Sequence, residues 1–353
     1  MGSPIDEDEE YMAMALKLAQ KGRPSPNPKV GCVVVKDGYI LKTGYHKKAG
    51  GPHAEVEALQ GINAEGATMY VNLEPCSHYG KTPPCTDMII KSGVHRVVCA
   101  MKDPNPVVKG IEILRKNGIE VTVGVMKETA QTLNEKFIKY MKKGTPFVTV
   151  KYAMSLDGKI ACNSGDSKWI THDRSREYAR HLRGDYDAIM VGINTVLQDD
   201  PGLKALKNER DPTRVILDST LRIPVDSQVL SDTNVIIATT EKCDPEKKRA
   251  LEKKARIIVC GYDTVDLKKV LTTLGETGVT SVFIEGGSEV NASAVNTGLV
   301  DKILVFIAPK LITGRKAKGP IGGSGIETMC NTIQIKKMTV HNRGTDILIE
   351  AYL

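Results

Sequence analysis

Strand-like and helix-like stretches alternate along almost the whole chain, and that alternation limits the fold more than any other feature. Short apolar runs rich in β-branched residues read as strands at 147–154, 188–191, 214–217, 234–239, 256–259, 281–285 and 303–307. Stretches with helical periodicity separate most of them, at 174–183, 246–254, 267–274 and 289–296. Such an order implies a largely parallel sheet covered by helices, an α/β fold. The tail, 339–353, reads as a closing hairpin around Arg343-Gly344.

The first part of the chain alternates in the same way. Tyr11, Met14, Ala15 and Leu18 recur at helical spacing over 10–21, and Gly22 ends the run. The stretches 30–35 and 39–44 flank Asp37-Gly38, a hairpin signal. Helices are expected at 53–60, 87–91, 110–117 and 128–141, and strands at 68–73, 96–101 and 120–125. Lys143-Gly144-Thr145-Pro146 reads as a break. A length of 353 residues suits two domains, taken as 1–145 and 146–353.

With 41% hydrophobic residues the chain can build sizeable cores. No apolar run reaches the roughly 18 residues that span a bilayer, and no secretory signal opens the sequence, so a cytoplasmic protein is expected. The net charge of +7 is spread evenly, +4 up to Thr145 and +3 beyond. Spread charge reads as a solvated surface, and with aromatics at 5% there is little to stack on bases. Nucleic-acid and membrane partners are therefore not expected; a small anionic substrate is. Eight cysteines in a chain of this kind read as reduced thiols. Cys32, Cys99 and Cys260 lie in apolar runs and are expected to be buried, whereas Cys76 and Cys85 each follow a proline in a polar stretch.

Those two cysteines carry the chemistry. The sequence holds His53-Ala54-Glu55 and, further on, Pro75-Cys76 and Pro84-Cys85. One imidazole and two thiolates would hold Zn2+ and leave a fourth position open for water. The metal lowers that water's pKa toward neutrality and makes hydroxide available. Deamination also needs a proton shuttle, and Glu55, beside a ligand but not one itself, suits that role. The arrangement follows the zinc-deaminase signature His-x-Glu with Pro-Cys-x-x-Cys. It departs in spacing, because Ser77-His78-Tyr79-Gly80-Lys81-Thr82-Pro83-Pro84 separates the cysteines. The bland alternative is two free thiols and a packed histidine. His78, Lys81, Asn27, His46, Asp103 and Asn105 are further candidate donors, although the Asn-Pro pairs are also ordinary turn signals.

The second half lacks a Gly-x-Gly-x-x-Gly dinucleotide fingerprint. Its nearest phosphate cradle is Glu285-Gly286-Gly287-Ser288, between a strand and a helix start. Turns of that kind are also common where no nucleotide binds.

Together these residues resemble the bifunctional deaminase–reductase family of riboflavin biosynthesis. The resemblance runs through Asn27-Pro28-x-Val30-Gly31, Pro52-His53-Ala54-Glu55-Val56, the stretch from Leu73-Glu74-Pro75-Cys76 to Pro84-Cys85, and Asp103-Pro104-Asn105-Pro106. It continues through Lys151, Ser155-Leu156-Asp157-Gly158-Lys159, Gly165-Asp166-Ser167-Lys168-Trp169-Ile170-Thr171, Asp199-Asp200-Pro201 and Glu285-Gly286-Gly287. It implies a cytidine-deaminase-like three-layer α/β/α domain, then a dihydrofolate-reductase-like α/β domain. The first would deaminate a diamino-pyrimidinone carrying ribosylamino phosphate. The second would reduce the ribosyl chain to ribityl with NADPH.

By the same resemblance His53, Cys76 and Cys85 hold zinc and Glu55 shuttles protons. Asn27, His46, His78, Lys81, Asp103 and Asn105 would contact that substrate. In the reductase, Lys151 and Glu285 would supply charge and a proton, and Ser167, Arg183, Leu203 and Glu285 would contact substrate. NADPH would meet Ala153, Trp169, Thr195, Asp199 and the turn Gly287, Ser288, Glu289, Val290, Asn291, Ala292 and Ser293. Read alone, Lys151 could be a surface lysine, Trp169 core packing and Arg183 a solvated helix end. The family's arginine three residues after Leu203 is Leu206 here, so a phosphate contact is lost or passes to Lys204 or Lys207. A homo-oligomer is expected. The competing reading is a single-activity zinc deaminase of another base or nucleotide, with a non-catalytic C-terminal binding domain.

Overall fold

The computed structural model describes residues 4–79 and 83–353, with side chains from residue 7 onward. The chain forms two compact units, Met1–Gly144 and Thr145–Leu353. Among the described residues no helix is long and apolar enough to cross a membrane.

In chain order the first unit is α1 (Pro4–Ala19), β1 (Gly31–Lys36), β2 (Tyr39–Tyr45), α2 (Ala54–Leu59), β3 (Thr68–Val71), α3 (Cys85–Lys91), β4 (Arg96–Cys99), α4 (Gly110–Lys116), β5 (Glu120–Val123), α5 (Lys127–Leu133) and α6 (Glu135–Lys143). Its sheet runs β2-β1-β3-β4-β5. β1 pairs antiparallel with β2 and β3, and β3, β4 and β5 are parallel.

Two glycines show how the helices sandwich this sheet. A Cβ on Gly31 would lie 2.1 Å from the Ala15 carbonyl of α1, and one on Gly44 would lie 2.3 Å from the Ala54 carbonyl of α2. Gly44 pairs with Cys32, the neighbour of Gly31, so the two glycines face opposite sides of the pleat. Only residues without side chains let helices come so close, and α1 and α2 therefore cover opposite faces.

The second unit is β6 (Phe147–Ser155), α7 (Asp173–Arg183), β7 (Ala188–Gly192), α8 (Ile193–Asp199), β8 (Thr213–Leu217), β9 (Val235–Thr239), α9 (Pro245–Leu251), β10 (Arg256–Val259), α10 (Leu267–Glu276), β11 (Ser281–Ile284), α11 (Ser288–Asn296), β12 (Lys302–Ala308), β13 (Lys337–Arg343) and β14 (Asp346–Tyr352). Its nine-stranded sheet runs β10-β9-β8-β7-β11-β6-β12-β14-β13. All pairs are parallel except β12–β14 and β14–β13, where the tail hairpin closes the edge. β9 shows why the strands read as continuous apolar runs. Ile236 and Ala238 enter one core and Val235 and Ile237 another, on the two faces of the sheet.

Three departures from the sequence expectations stand out. The helix expected over 128–141 is two helices, broken at Asn134, whose φ/ψ of −108°/19° is not helical. The buried Asn134 amide accepts from Lys29 N at 2.8 Å and donates to Lys29 O at 3.0 Å. That clamp competes with helix continuation, as asparagine side chains commonly do. β3 ends at Val71 rather than running to 73 as expected, and Cys76 lies in the loop that follows. α8 has no counterpart among the helices expected from sequence. All eight cysteines are free, and Cys32, Cys99 and Cys260 are buried as expected.

Candidate active sites

In the first unit His53 caps the start of α2 with extended backbone, and Cys85 opens α3. The strand–helix crossover from β3 to α3 brings Cys85 back over the loop that carries Cys76. His53 Nδ1 lies 3.2 Å from Cys85 Sγ and 3.5 Å from Cys76 Sγ. The three donor atoms all lie within 4.8 Å of one another, the one such cluster among the described residues. Tetrahedral zinc at its usual bond lengths separates N and S donors by roughly 3.5 Å, so the donor set fits that ion. The two cysteines are therefore adjacent in space despite their separation in the sequence, as a shared ligand set requires.

The electrostatics agree. Hydrogen bonds with the Cys85 thiol, His53 and the Cys85 backbone amide pull the Cys76 thiol down, against burial. The amide donates to Cys76 Sγ at 3.2 Å. Cys85 is pushed up by the neighbouring Cys76 sulfur and by burial. A dication would bring both to thiolate. Glu55 is buried, and desolvation followed by the Cys76 charge raises its carboxyl.

A cavity of about 390 Å3 opens over this cluster, lined among others by Asn27, His46, His53, Glu55, Cys76, His78, Asp103 and Asn105. Every expected substrate contact of this unit lines it except Lys81, which lies outside the described residues. His46 Nδ1 donates to Pro52 O at 2.8 Å, leaving Nε2 to accept from Asn27 Nδ2 at 3.1 Å. Burial lowers its pKa, which favours the neutral ring. Burial also lifts Asp103 to about 6, although it accepts from Asn105 N at 2.8 Å. Asn105 Oδ1 in turn accepts from Val107 N at 3.1 Å, so turn chemistry and cavity lining coexist here.

Sequence reasoning missed several supporting residues. Buried Glu74 accepts from Asp103 N at 3.2 Å and Ile111 N at 3.0 Å, fixing the loop that carries Asp103 and Asn105. Its signal was present, a glutamate following the apolar strand. Phe137 and Met141 of α6 also line the cavity, and nothing local in the sequence marks them.

In the second unit Arg183, the last residue of α7, grips Glu285 just past β11. Nε lies 2.7 Å from Oε1 and Nη2 lies 3.0 Å from Oε2. Lys151 Nζ on β6 lies 3.7 Å from the same carboxylate. Burial alone would raise Glu285, but Arg183 and Lys151 outweigh it and hold it at about 2. Glu285 is therefore held toward its carboxylate form, and Arg183 and Lys151 are neither solvated nor loose.

The glycine cradle lies between β11 and α11. Gly287 caps α11 in extended backbone with no side-chain cap, so the first amides of that helix stay available to an anion. Space above Gly287 is open, its nearest neighbour being Thr195 Oγ1 of α8, 3.9 Å from a Cβ built there. Those features suit a nucleotide phosphate. Ser288, Glu289, Val290 and Ser293 lie on α11 with them. Asn291 and Ala292 are buried, and Asn291 Nδ2 donates to Pro320 O at 2.9 Å.

Trp169 is 61% exposed rather than packed in a core, with the Arg176 guanidinium 4.4 Å over its ring. Lys168 pairs with Asp199 at 3.1 Å, Ala153 packs under α7, Ser167 is half-buried, and Leu203 is buried with φ of +52°. Lys204 pairs with Asp232 at 3.6 Å, Lys207 is exposed, and Leu206 lines a separate cavity with Arg174 and Arg343.

Residues 146–349 match the family model of the RibD C-terminal domain, and residues 5–101 match that of the cytidine and deoxycytidylate deaminase zinc-binding region. The chain is 45% identical to riboflavin biosynthesis protein RibD of Aquifex aeolicus over 352 residues, 97% of each chain. This chain belongs to the RibD family. Its identity to RibD of Escherichia coli is 41%, over 97% of this chain and 98% of the other. RibD of Acinetobacter baumannii has the same fold at a TM-score of 0.89 and 36% identity, covering 99% of both chains. A Thermotoga maritima protein described as a diaminohydroxyphosphoribosylaminopyrimidine deaminase/5-amino-6-(5-phosphoribosylamino)uracil reductase aligns at a TM-score of 0.87 and 39% identity, again over 99% of both. As a RibD, the chain is a bifunctional enzyme of riboflavin biosynthesis with a zinc-dependent deaminase domain and an NADPH-dependent reductase domain. The reading in which the second half only binds is set aside, because that half is the RibD reductase domain.

Proposed function

We propose that residues 1–145 deaminate a diamino-pyrimidinone bearing ribosylamino phosphate, and that residues 146–353 reduce the ribosyl chain of the product. The observation that carries this reading is His53, Cys76 and Cys85 converging beside buried Glu55 at a polar cavity. Bound zinc supplies Lewis acidity that makes a nucleophilic water available near neutral pH. Glu55 passes one proton from the water to the ring nitrogen and then a second, from the added hydroxyl, to the amine that departs as ammonia. Asn27, His46, His78, Lys81, Asp103 and Asn105 hold the substrate's polar edges, and neutral His46 is fixed by its Pro52 bond.

In the reductase, bound NADPH supplies the hydride for the sugar C1′. Glu285 remains ionised and orients Lys151 and Arg183; Lys151 is the group left to protonate the opening sugar oxygen. Ser167 and Leu203 complete the substrate side. Ala153, Trp169, Thr195, Asp199 and the 287–293 turn form the nucleotide side, with contacts at Asn291 and Ala292 limited to backbone. A homo-oligomer fits the open edge strand β13, where Met338 and Val340 are exposed. The cytoplasm, where NADPH turns over, is the compartment this reading implies.

The experiment is a coupled assay on the full chain, following ammonia release and NADPH oxidation separately. Both should proceed in sequence from the diamino substrate. NADPH oxidation before any ammonia appears would refute the order.

A further inference from the structure

The chain has four phenylalanines, and three of them, Phe147, Phe283 and Phe306, are buried in the second unit. Phe137 is the exception. It is half-buried on α6, a helix with no buried residue, and it lines the deaminase cavity together with Met141, which is 36% exposed. The two are four apart, so they share one helix face. Phe137 is also the one carbocyclic ring in that lining.

A pyrimidine ring presents polar edges and an apolar π face. Asn27, His46, Asp103 and Asn105 can meet the edges; the other flat rings in this lining are imidazoles, and Phe137 offers the one apolar aromatic face. An aromatic side chain with an adjacent thioether suits the π face. From this juxtaposition, the geometry points to Phe137 and Met141 as the wall on which the pyrimidine ring lies, with Asn134 as the residue that positions it. The inference deepens the proposed deaminase reading and rests on it.

Asn134 acts through backbone geometry. It breaks the helix that would otherwise run on from α5 and so sets the direction of α6. The same amide holds both the N–H and the C=O of Lys29, and Asn72 Nδ2 donates to that carbonyl as well, at 3.0 Å. Lys29 follows the cavity-lining stretch Pro26-Asn27-Pro28. One side chain thus fixes the loop carrying Asn27 relative to the helix carrying Phe137.

The test uses the full-length, zinc-loaded enzyme. Phe137→Ala should raise the deaminase KM about tenfold, with kcat largely kept. NADPH oxidation of the already deaminated substrate should not change. The inhibition constant of ribose 5-phosphate, which lacks the ring, should be the same for deamination by Phe137→Ala and by the parent. Asn134→Ala should raise KM in the same direction, and the two effects should be less than additive in the double variant, because both act on one wall; full additivity overturns the positioning role of Asn134. An unchanged KM in Phe137→Ala overturns the wall, and equal weakening of ribose 5-phosphate inhibition overturns its assignment to the ring. Should Phe137→Ala fail to fold, Phe137→Leu and Met141→Ala replace it, and wild-type KM in both overturns the proposal. A parent enzyme that releases no ammonia from the diamino substrate overturns the deaminase reading itself, and the wall with it.

Discussion

The two sites are built on opposite plans. The deaminase centre gathers a few specific donor atoms from short motifs at the starts of α2 and α3 and the loop after β3. The proposed reductase centre joins Lys151, Arg183 and Glu285, which come from β6, the end of α7 and the turn after β11. A metal demands fixed atom types at fixed local spacing, so its motif survives in one dimension. An ionic cluster and a glycine cradle demand only complementary charge and open backbone, which distant elements can supply. Each site therefore has its own characteristic way of failing.

The largest contrast should come from Glu55→Gln. It keeps the zinc ligands and removes the proton shuttle, so ammonia release should fall by about 10²- to 10⁴-fold while NADPH oxidation of the deaminated substrate persists. Zinc analysis alongside both assays checks it; a joint loss would erase the distinction between the sites.

Glu285→Ala should do the converse and also weaken the fold. It leaves Arg183 and Lys151 charged without their carboxylate, a loss of about 3–5 kcal/mol for a broken buried pair. Urea unfolding followed with reductase and deaminase assays would show reductase loss with ammonia release intact.

A third effect is smaller and depends on pH. Glu285 is held at about 2, below its ordinary value of 4.5. A lowered carboxyl stabilises the fold above its unfolded pKa, and the benefit is lost as pH falls from about 4.5 toward 2. The full difference corresponds to about 3 kcal/mol. Unfolding measured across that window should be steeper in the parent than in Glu285→Gln; equal slopes would mean the carboxylate is not held as described.

The smallest change should come from Leu206→Arg. Restoring the family's arginine should lower the reductase KM for the phosphorylated substrate by up to about tenfold, without altering the deaminase KM. An unchanged KM would indicate that Lys204 or Lys207 already meets the phosphate.

Much of this was legible in the sequence because the relevant physics is local. Continuous apolar runs and period-3.6 patterns mark the strands and helices, Asp37-Gly38 marks a hairpin, and the His-x-Glu and Pro-Cys stretches mark the metal cluster. The losses came where distant residues decide. The break at Asn134 depends on Lys29, 105 residues away in the chain. The grip of Arg183 on Glu285 spans 102 residues, a pairing that spacing cannot give. Phe137 and Met141 look like an ordinary amphipathic helix until the fold sets a cavity beside them.

The central claim is that one zinc, held by His53, Cys76 and Cys85, drives deamination and nothing else. It is tested most directly by removing metal from the purified chain and adding zinc back stepwise. Ammonia release should rise in proportion and level off at one zinc per chain, while NADPH oxidation of the deaminated substrate stays constant throughout. Full ammonia release from the metal-free chain, or NADPH oxidation that tracks the added zinc, would contradict the account.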